Sequence, residues 1–219
     1  MNPGLKLLLT ILIALEISFT TNLVVNLVLI GASLIYLLAK KIKWLSLLKL
    51  ILVPFIPAFG LLVSQLFYGH GGPIYAWILF SRIYAYVFIG ATFTITSDIT
   101  ELALTLEQNF HLPAKFAYGV LAAFNLIPKI QAEIKIIKTA GMMRGVPLHF
   151  WSPKLYFKAI LAAISWSQNL AEAMTSHGFV EGQARTFYQP MSLTLKDWLS
   201  FGGILVLVQL LIIFAPTLP

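Results

Sequence analysis

The sequence contains no cysteine and very little charge. Its 219 residues include 15 Lys and Arg and 8 Asp and Glu, so charged types make up 11% of the chain, against about 25% in ordinary soluble domains. The missing cysteines exclude a disulfide framework and Cys-ligated metal sites. The scarcity of charge excludes a soluble enzyme or DNA-binding domain, because a soluble core needs a charged surface around it.

The motifs of nucleotide and catalytic chemistry are also missing. The chain has no Gly-x-x-x-x-Gly-Lys-Ser/Thr phosphate loop, no His-Glu-x-x-His helix and no Gly-x-Ser-x-Gly elbow. Its four histidines show no metal-ligand spacing; they are His70, His111, His149 and His177. His70 lies in a glycine-rich loop, where a lone histidine is far more often solvated than metal-bound. We therefore predict a non-enzymatic chain with no catalytic residue, no metal site and no cofactor.

Long apolar runs are what the sequence has instead. Hydrophobic types make up 59% of the chain, and its mean hydropathy is +0.87. Five runs approach the roughly 20 residues that cross a bilayer: 5–19, 23–39, 45–67, 75–96 and 198–216. The tripeptide Thr20-Thr21-Asn22 predicts a tight turn between the first two. Pro54 and Pro57 predict a break in the third.

The segment 97–197 differs in composition from the apolar runs. It holds nine of the 15 basic and seven of the eight acidic residues. Apolar residues at helical spacing predict amphipathic helices at about 98–111, 128–145 and 153–178, with a further helical piece at 114–126. No strand pattern is present. The predicted fold is all-α, a polytopic membrane protein with about five transmembrane helices at 1–96 and 198–219 and a cytoplasmic domain of long amphipathic helices at 97–197.

The basic residues between the runs predict the orientation. Lys40, Lys41 and Lys43 follow the second run, which places that loop in the cytoplasm. Counting outward, the N-terminus lies inside, the loop at 67–74 outside and the segment 97–197 inside. The outside loop carries neither Lys nor Arg, as the rule expects.

Glu16 and Arg82 lie inside predicted spans, where a charge is costly. The count of residues from the outer surface gives them similar depths. Either they mark a substrate or proton site, or they form a buried ion pair, or Arg82 extends to the outer surface. We favour the two structural explanations and predict a candidate intramembrane ion pair.

Two places in the cytoplasmic segment look alike. Ala140-Gly141-Met142-Met143-Arg144-Gly145 and Ala173-Met174-Thr175-Ser176-His177-Gly178 each have a small residue, three intervening residues, then a cationic or cationisable residue, which glycine follows. Each predicts the end of a long helix, with glycine in the left-handed position just beyond it. Arg144 and His177 either complement a helix C-terminus or form two equivalent docking points.

At these residues the chain resembles the T component of energy-coupling-factor (ECF) transporters, the EcfT/CbiQ-like family. Members carry two Ala-Arg-Gly motifs, each ending a long coupling helix. Met143-Arg144-Gly145 is similar to the first and Ser176-His177-Gly178 to the second. The alanines are replaced by Met143 and Ser176, and the second arginine by His177, which is shorter than arginine. The resemblance extends to Asp98, Leu102, Leu106, Leu112-Pro113, Ile127-Pro128, Gly182, Arg185, Thr186 and the opening Asn2-Pro3 with Lys6.

The resemblance implies a non-catalytic scaffold in the cell membrane of a prokaryote. It implies that the two motifs dock onto two cytoplasmic ABC-type ATPases, which bind the ATP, and that the membrane helices hold a substrate-binding S component. The S component would choose the substrate, a vitamin, cobalt or nickel. A conventional permease with its own substrate path is the alternative, although the spans offer little polar surface for one. A membrane enzyme would need a motif that the chain lacks.

Overall fold

The structure is a computed structural model that describes residues 1–69, 71–183 and 186–216. These residues contain no strand and form the helices α1 (Pro3–Phe19), α2 (Leu23–Ala39), α3 (Trp44–Tyr68), α4 (Gly72–Thr96), α5 (Ile99–Asn109), α6 (Ala114–Met143), α7 (Pro153–Ser176) and α8 (Leu195–Phe214). The predicted all-α class is confirmed. His70 and Arg185 lie outside the described residues.

The chain divides into two compact units. The first comprises residues 1–105 and 191–216 and holds α1–α4, α8 and the start of α5. The second comprises residues 106–190 and holds α6 and α7. The domain boundaries at 97 and 197 that composition indicated stay a prediction.

The five apolar runs lie on α1–α4 and α8. Among the described helices, α3, α4 and α8 are long and apolar enough to cross a membrane. The helices α1 and α2 have 17 residues each, the lower limit for a transmembrane helix. The predicted tight turn is present, because α1 ends at Phe19 and α2 begins at Leu23. The helix α1 packs mainly against α4 and α8. Three spans are supported by length, and the count of five stays a prediction.

Two predicted breaks at prolines are wrong. Pro54 and Pro57 lie inside the continuous helix α3, and Pro128 lies inside α6, which joins the pieces expected at 114–126 and 128–145. A proline removes one backbone donor but need not end a helix when another group bonds the freed region. Pro54 leaves the carbonyl of Leu50 without its helical donor, and the hydroxyl of Tyr84 on α4 donates to the neighbouring carbonyl of Ile51 at 3.0 Å, so that α4 supports α3 at this place. Pro128 is exposed, so water can bond the carbonyl that its ring leaves free.

Apolar residues one helical turn apart hold the first unit together. Leu9, Ile13 and Ile17 lie on one face of α1 and pack against Val25 and Leu29 of α2, Ala85 and Ile89 of α4, and Val208 of α8. Lipid is as apolar as these side chains, so close packing and hydrogen bonds between helices contribute most of the association. Asn26, which is 0% exposed, donates from α2 to the hydroxyl of Ser81 on α4 at 3.0 Å and to the Ile78 carbonyl at 3.2 Å.

Polar contacts at the helix ends define the relative directions of α1, α4 and α8. At one end of the unit, the Lys6 ammonium donates to the Thr96 carbonyl at 2.9 Å, and the N-terminal amine lies 3.4 Å from Asp197. At the other end, Asn22 donates to the carbonyls of Ala215 and Pro216 at 3.3 Å. Thus α1 runs parallel to α8 and antiparallel to α4. This is the arrangement that alternating spans require.

The second unit is a hairpin of two long helices. The ring of Tyr118, near the start of α6, meets the ring of Phe179, just beyond the end of α7, edge to face at 6.0 Å. Lys115 and Glu181 form an ion pair at 3.0 Å in the same place. Because the end of α7 lies beside the start of α6, the two helices are antiparallel. Leu155 and Ala159 are the buried residues of α7.

Candidate functional site

The end of α6 is a backbone-defined turn. Arg144 caps the helix, and Gly145 follows with a φ of +70°. The N–H of Val146 donates to the Gly141 carbonyl at 2.9 Å, and the N–H of Gly145 donates to the Met142 carbonyl at 3.1 Å. Counted from Gly141 as residue 1, these are the 6→1 and 5→2 bonds of a Schellman motif.

The end of α7 repeats this turn residue for residue. His177 caps the helix, and Gly178 follows with a φ of +80°. The N–H of Phe179 donates to the Met174 carbonyl at 3.0 Å, and the N–H of Gly178 donates to the Thr175 carbonyl at 2.9 Å. The predicted helix ends with left-handed glycines are confirmed at both places.

The turns leave the two candidate side chains free to meet a partner. Arg144 and His177 are both exposed. Within the described parts of the chain, neither side chain has a hydrogen bond or an ion pair. The turns themselves bond the last carbonyls through the backbone, so neither side chain caps its own helix by a hydrogen bond.

The surroundings of the two ends differ. Exposed apolar side chains flank Arg144 in the chain, among them Met143 at 82% and Trp151 at 87% exposure, together with Met142, Val146 and Phe150. The side chains next to His177 are partly covered instead: Met174 and Phe179 are half-buried and line a cleft between α6 and α7 of about 770 Å³. The first end offers an apolar patch around its cation, and the second offers a single exposed ring beside a cleft.

Gly141 is required where the chain folds back over the end of α6. A Cβ at this position would lie 2.8 Å from the Val146 carbonyl oxygen and 3.1 Å from the Leu148 side chain. Leu148 is buried by this return. The corresponding residue of the second end is Met174, so the second end has no such close return. A Gly four residues before the left-handed glycine was the only signal of this contact in the sequence.

The two candidate docking ends lie far apart. His177 shares the cleft with Tyr118, near the start of α6, whereas Met143 and Arg144 mark its end. The 25 residues between Tyr118 and Met143 span roughly 38 Å at 1.5 Å per residue. Sequence order alone, with both ends in one segment, did not show this separation.

Glu16 and Arg82 do not contact each other in the structure. The Oε1 atom of Glu16 accepts a hydrogen bond from the side-chain amide of Gln209 on α8 at 2.7 Å. The guanidinium of Arg82 donates to the carbonyl of Thr20. The partners differ from those expected because other polar groups lie within hydrogen-bond distance. Gln209 of α8 reaches Glu16, and the Thr20 carbonyl, just beyond the end of α1, accepts from Arg82.

Most of the polar contacts between the helices of the first unit were not predicted from the sequence. Asn22, Asn26, Ser81 and Gln209 each bond a different helix in the first unit. A signal was present, since asparagine and glutamine are unusual inside apolar runs and bond across helices when they occur there. These bonds engage many of the polar groups of the spans, whereas Oε2 of Glu16, Oδ1 of Asn26 and Nε of Arg82 have no partner among the described residues.

A comparison with protein families identifies the chain. The family model for CbiQ, described as a cobalt transport protein, matches residues 1–188. The chain belongs to the CbiQ family. The match covers α1 to α7 with both helix ends, and α8 lies beyond it.

Curated relatives of this CbiQ-family chain carry the name energy-coupling factor transporter transmembrane protein EcfT. The protein from Streptococcus equi subsp. equi (strain 4047) is 25% identical, with 98% of this chain and 89% of the relative covered. The protein from Bacillus subtilis (strain 168) is 27% identical, over 78% of this chain and 72% of the relative. The chain is thus a CbiQ/EcfT-type membrane component of an ECF transporter. The predicted family resemblance is confirmed.

Proposed function

We propose that this chain is the scaffold and coupling subunit of an ECF-type ABC importer. It transmits the motion of two cytoplasmic ATPases to a membrane-embedded S component, which carries a vitamin or a metal ion. The observation that carries the proposal is the pair of equal helix ends. Each holds a cation or an imidazole in the open, on a turn that its own backbone bonds make rigid.

The geometry suits docking onto two partner subunits better than docking onto one. The ends lie roughly 38 Å apart along α6, and each ends a helix of the same hairpin. A push on either end moves a long packed helix rather than a loop. The docking residues are Met143, Arg144 and Gly145 at the first end and Ser176, His177 and Gly178 at the second.

The chemistry resides in the partners. The ATPases bind and hydrolyse ATP, and this chain binds no cofactor and catalyses no reaction. The S component selects the substrate. The protein lies in the cell membrane of a prokaryote, with its N-terminus and the Lys40–Lys43 loop inside. The description of the family and the names of the relatives support the class of transporter but not the individual substrate.

A pull-down of the two ATPases with the tagged chain tests the proposal. The wild-type chain should retain both ATPases from detergent-solubilised membranes that contain the whole transporter. Replacement of both docking side chains, Arg144→Ala with His177→Ala, should release them. Lys135→Ala is the matched control, since it removes an exposed cation from the middle of α6. Retention of both ATPases by the double variant would contradict the docking role.

An uptake measurement on vesicles that contain the chain alone separates this function from that of a permease. An ECF subunit transports only together with its ATPases and its S component. We therefore expect no uptake of any tested vitamin or metal ion by the chain alone in vesicles. Uptake by the chain alone would identify it as a permease.

A further inference from the structure

A groove of about 510 Å³ lies in the first unit, between α1, α2, α4 and α8. Its floor consists of buried apolar side chains, among them Leu9 and Ile13 of α1 and Ile89 of α4. Its rim consists of exposed apolar side chains, Val28 on α2 and Leu207 on α8. The groove therefore opens sideways, toward the space that a bilayer would occupy.

One end of the groove is polar and basic. Lys6 and Thr96 line this end, and Tyr36 stands beside them on α2. The Lys6 ammonium donates to the Thr96 carbonyl at 2.9 Å and, at 3.5 Å, to the Thr96 hydroxyl. An ammonium has three N–H donors, so one of them can meet an anion without loss of either bond. Lys40 lies 5.9 Å from the centre of the Tyr36 ring and adds a second cation.

Three carboxylates belong to the same end of the unit. Asp98 and Glu101 follow Thr96 in the chain, and Asp197 lies in the first turn of α8. Asp197 is already engaged by the N-terminal amine at 3.4 Å and by the hydroxyl of Thr194 at 2.8 Å. Lys41 and Lys43 follow Lys40 directly. This end of the unit therefore has more cations than carboxylates, and it favours an anion.

The groove has the dimensions of a lipid chain. It extends from Lys6 to Ile13 along α1, seven residues or roughly 10 Å. A mostly apolar groove of this size cannot stay empty in a bilayer without loss of packing contacts. A helix about 10 Å across would occupy roughly 800 Å³ over the same length, which is more than the groove holds.

We propose that the groove binds one anionic phospholipid. The phosphate meets the remaining N–H group and the charge of Lys6 at the polar end, and an acyl chain lies on the apolar floor between α2 and α8. Juxtamembrane lysines attract anionic lipid headgroups. The lipid would thus fill the space between α2 and α8.

Native mass spectrometry of the purified full chain tests the proposal. The chain in neutral detergent is titrated with phosphatidylglycerol and with phosphatidylcholine of the same acyl chains. The wild type should bind one phosphatidylglycerol more tightly than phosphatidylcholine. Lys6→Gln keeps a donor for the Thr96 carbonyl and loses the charge, so its affinity for phosphatidylglycerol should fall about fivefold. Lys49→Gln, an exposed lysine of α3 outside the groove, should leave the affinity unchanged.

A second variant tests the acyl-chain part. Ala32 lines the groove on α2, and Ala32→Trp should fill it and weaken both lipids. Equal binding of the two lipids by the wild type, an equal loss in Lys6→Gln and Lys49→Gln, or unchanged binding by Ala32→Trp would each overturn the proposal. If Lys6→Gln does not fold, the melting temperature of the wild type is measured with each lipid instead. Phosphatidylglycerol should raise it and phosphatidylcholine should not, and an equal increase with both would overturn the proposal. Exclusion of the lipid from the assembled transporter would identify the groove as a protein interface instead.

Discussion

The two helix ends of the second unit have the same backbone hydrogen bonds but different surroundings. Both end in a left-handed glycine after an exposed basic or imidazole side chain. At Arg144 the charge is permanent, the neighbouring apolar side chains are exposed, and the chain returns tightly over Gly141. At His177 the neighbours Met174 and Phe179 face a cleft.

The comparison shows that the position of a docking contact and its strength have different structural causes. The Schellman turn determines where the side chain stands, and it is the same at both ends. The side chain and its neighbours determine how tightly a partner is held. Arginine can bond two acceptors at once with a permanent charge, whereas a neutral imidazole donates one hydrogen bond. We therefore expect the Arg144 end to be the stronger anchor.

The largest expected effect on uptake comes from replacing Arg144 or His177, one at a time, with alanine. A charge-assisted contact contributes about 1.5–3 kcal/mol, and a neutral hydrogen bond about 1 kcal/mol. Arg144→Ala should therefore abolish uptake by the whole transporter and loosen its ATPases. His177→Ala should weaken uptake about fivefold, and His177→Arg should be tolerated. Uptake and ATPase pull-down for all three variants in the same membranes measure this, and equal losses from Arg144→Ala and His177→Ala would refute the ranking.

The next effect concerns the tight return at the first end. Gly141→Ala places a methyl group against the Val146 carbonyl, and such overpacking costs about 1–3 kcal/mol. This cost should exceed the roughly 1 kcal/mol that alanine gains over glycine in a helix. The melting temperature of the purified chain should fall. Gly119→Ala is the control in the same helix, because apart from its chain neighbours and its own helix backbone no atom lies within 4 Å of the place that the new Cβ would take.

The Gly119→Ala control should raise the melting temperature by the gain in helix propensity alone. An increase of the same size for Gly141→Ala would mean that the return over α6 opens without cost. The first end would then be as loosely held as the second.

The two left-handed glycines should respond alike. Gly145→Ala and Gly178→Ala each force a side chain into a left-handed conformation, which costs about 1–2 kcal/mol. Steric clash with other parts of the chain does not contribute, since apart from chain neighbours no atom lies within 4 Å of the place that either new Cβ would take. Equal losses of unfolding free energy would show that the backbone turns are equivalent. A loss confined to one glycine would show that the comparison fails at the level of the backbone.

The smallest effect belongs to the exposed ion pair beside the second end. Lys115 and Glu181 are about half exposed, with relative side-chain exposures of 55% and 49%, and such pairs contribute about 0.2–1 kcal/mol. Glu181→Gln should lower the melting temperature slightly at low salt and not at all at high salt. A large loss at high salt would indicate that Glu181 holds the second end by another contact.

Much of the helical layout could be predicted from local patterns. The second apolar run coincides with α2, and the other runs lie within two or three residues of the helices at their ends. The helix ends at Arg144 and His177 were predictable because glycine after a helix is a local signal. The prolines misled because their cost is a local quantity, while the bond from Tyr84 to Ile51 comes from a different helix.

Features that depend on neighbours in the chain could therefore be predicted: apolar length, helical periodicity, capping residues and the repeated glycine turns. Only the folded chain shows the partners of Glu16 and Arg82, the tight return over Gly141 and the placement of the two ends at opposite ends of α6. Each of these depends on which surfaces meet across the fold. A one-residue change in helix packing changes which polar groups come within about 3 Å, and that distance decides whether a hydrogen bond forms.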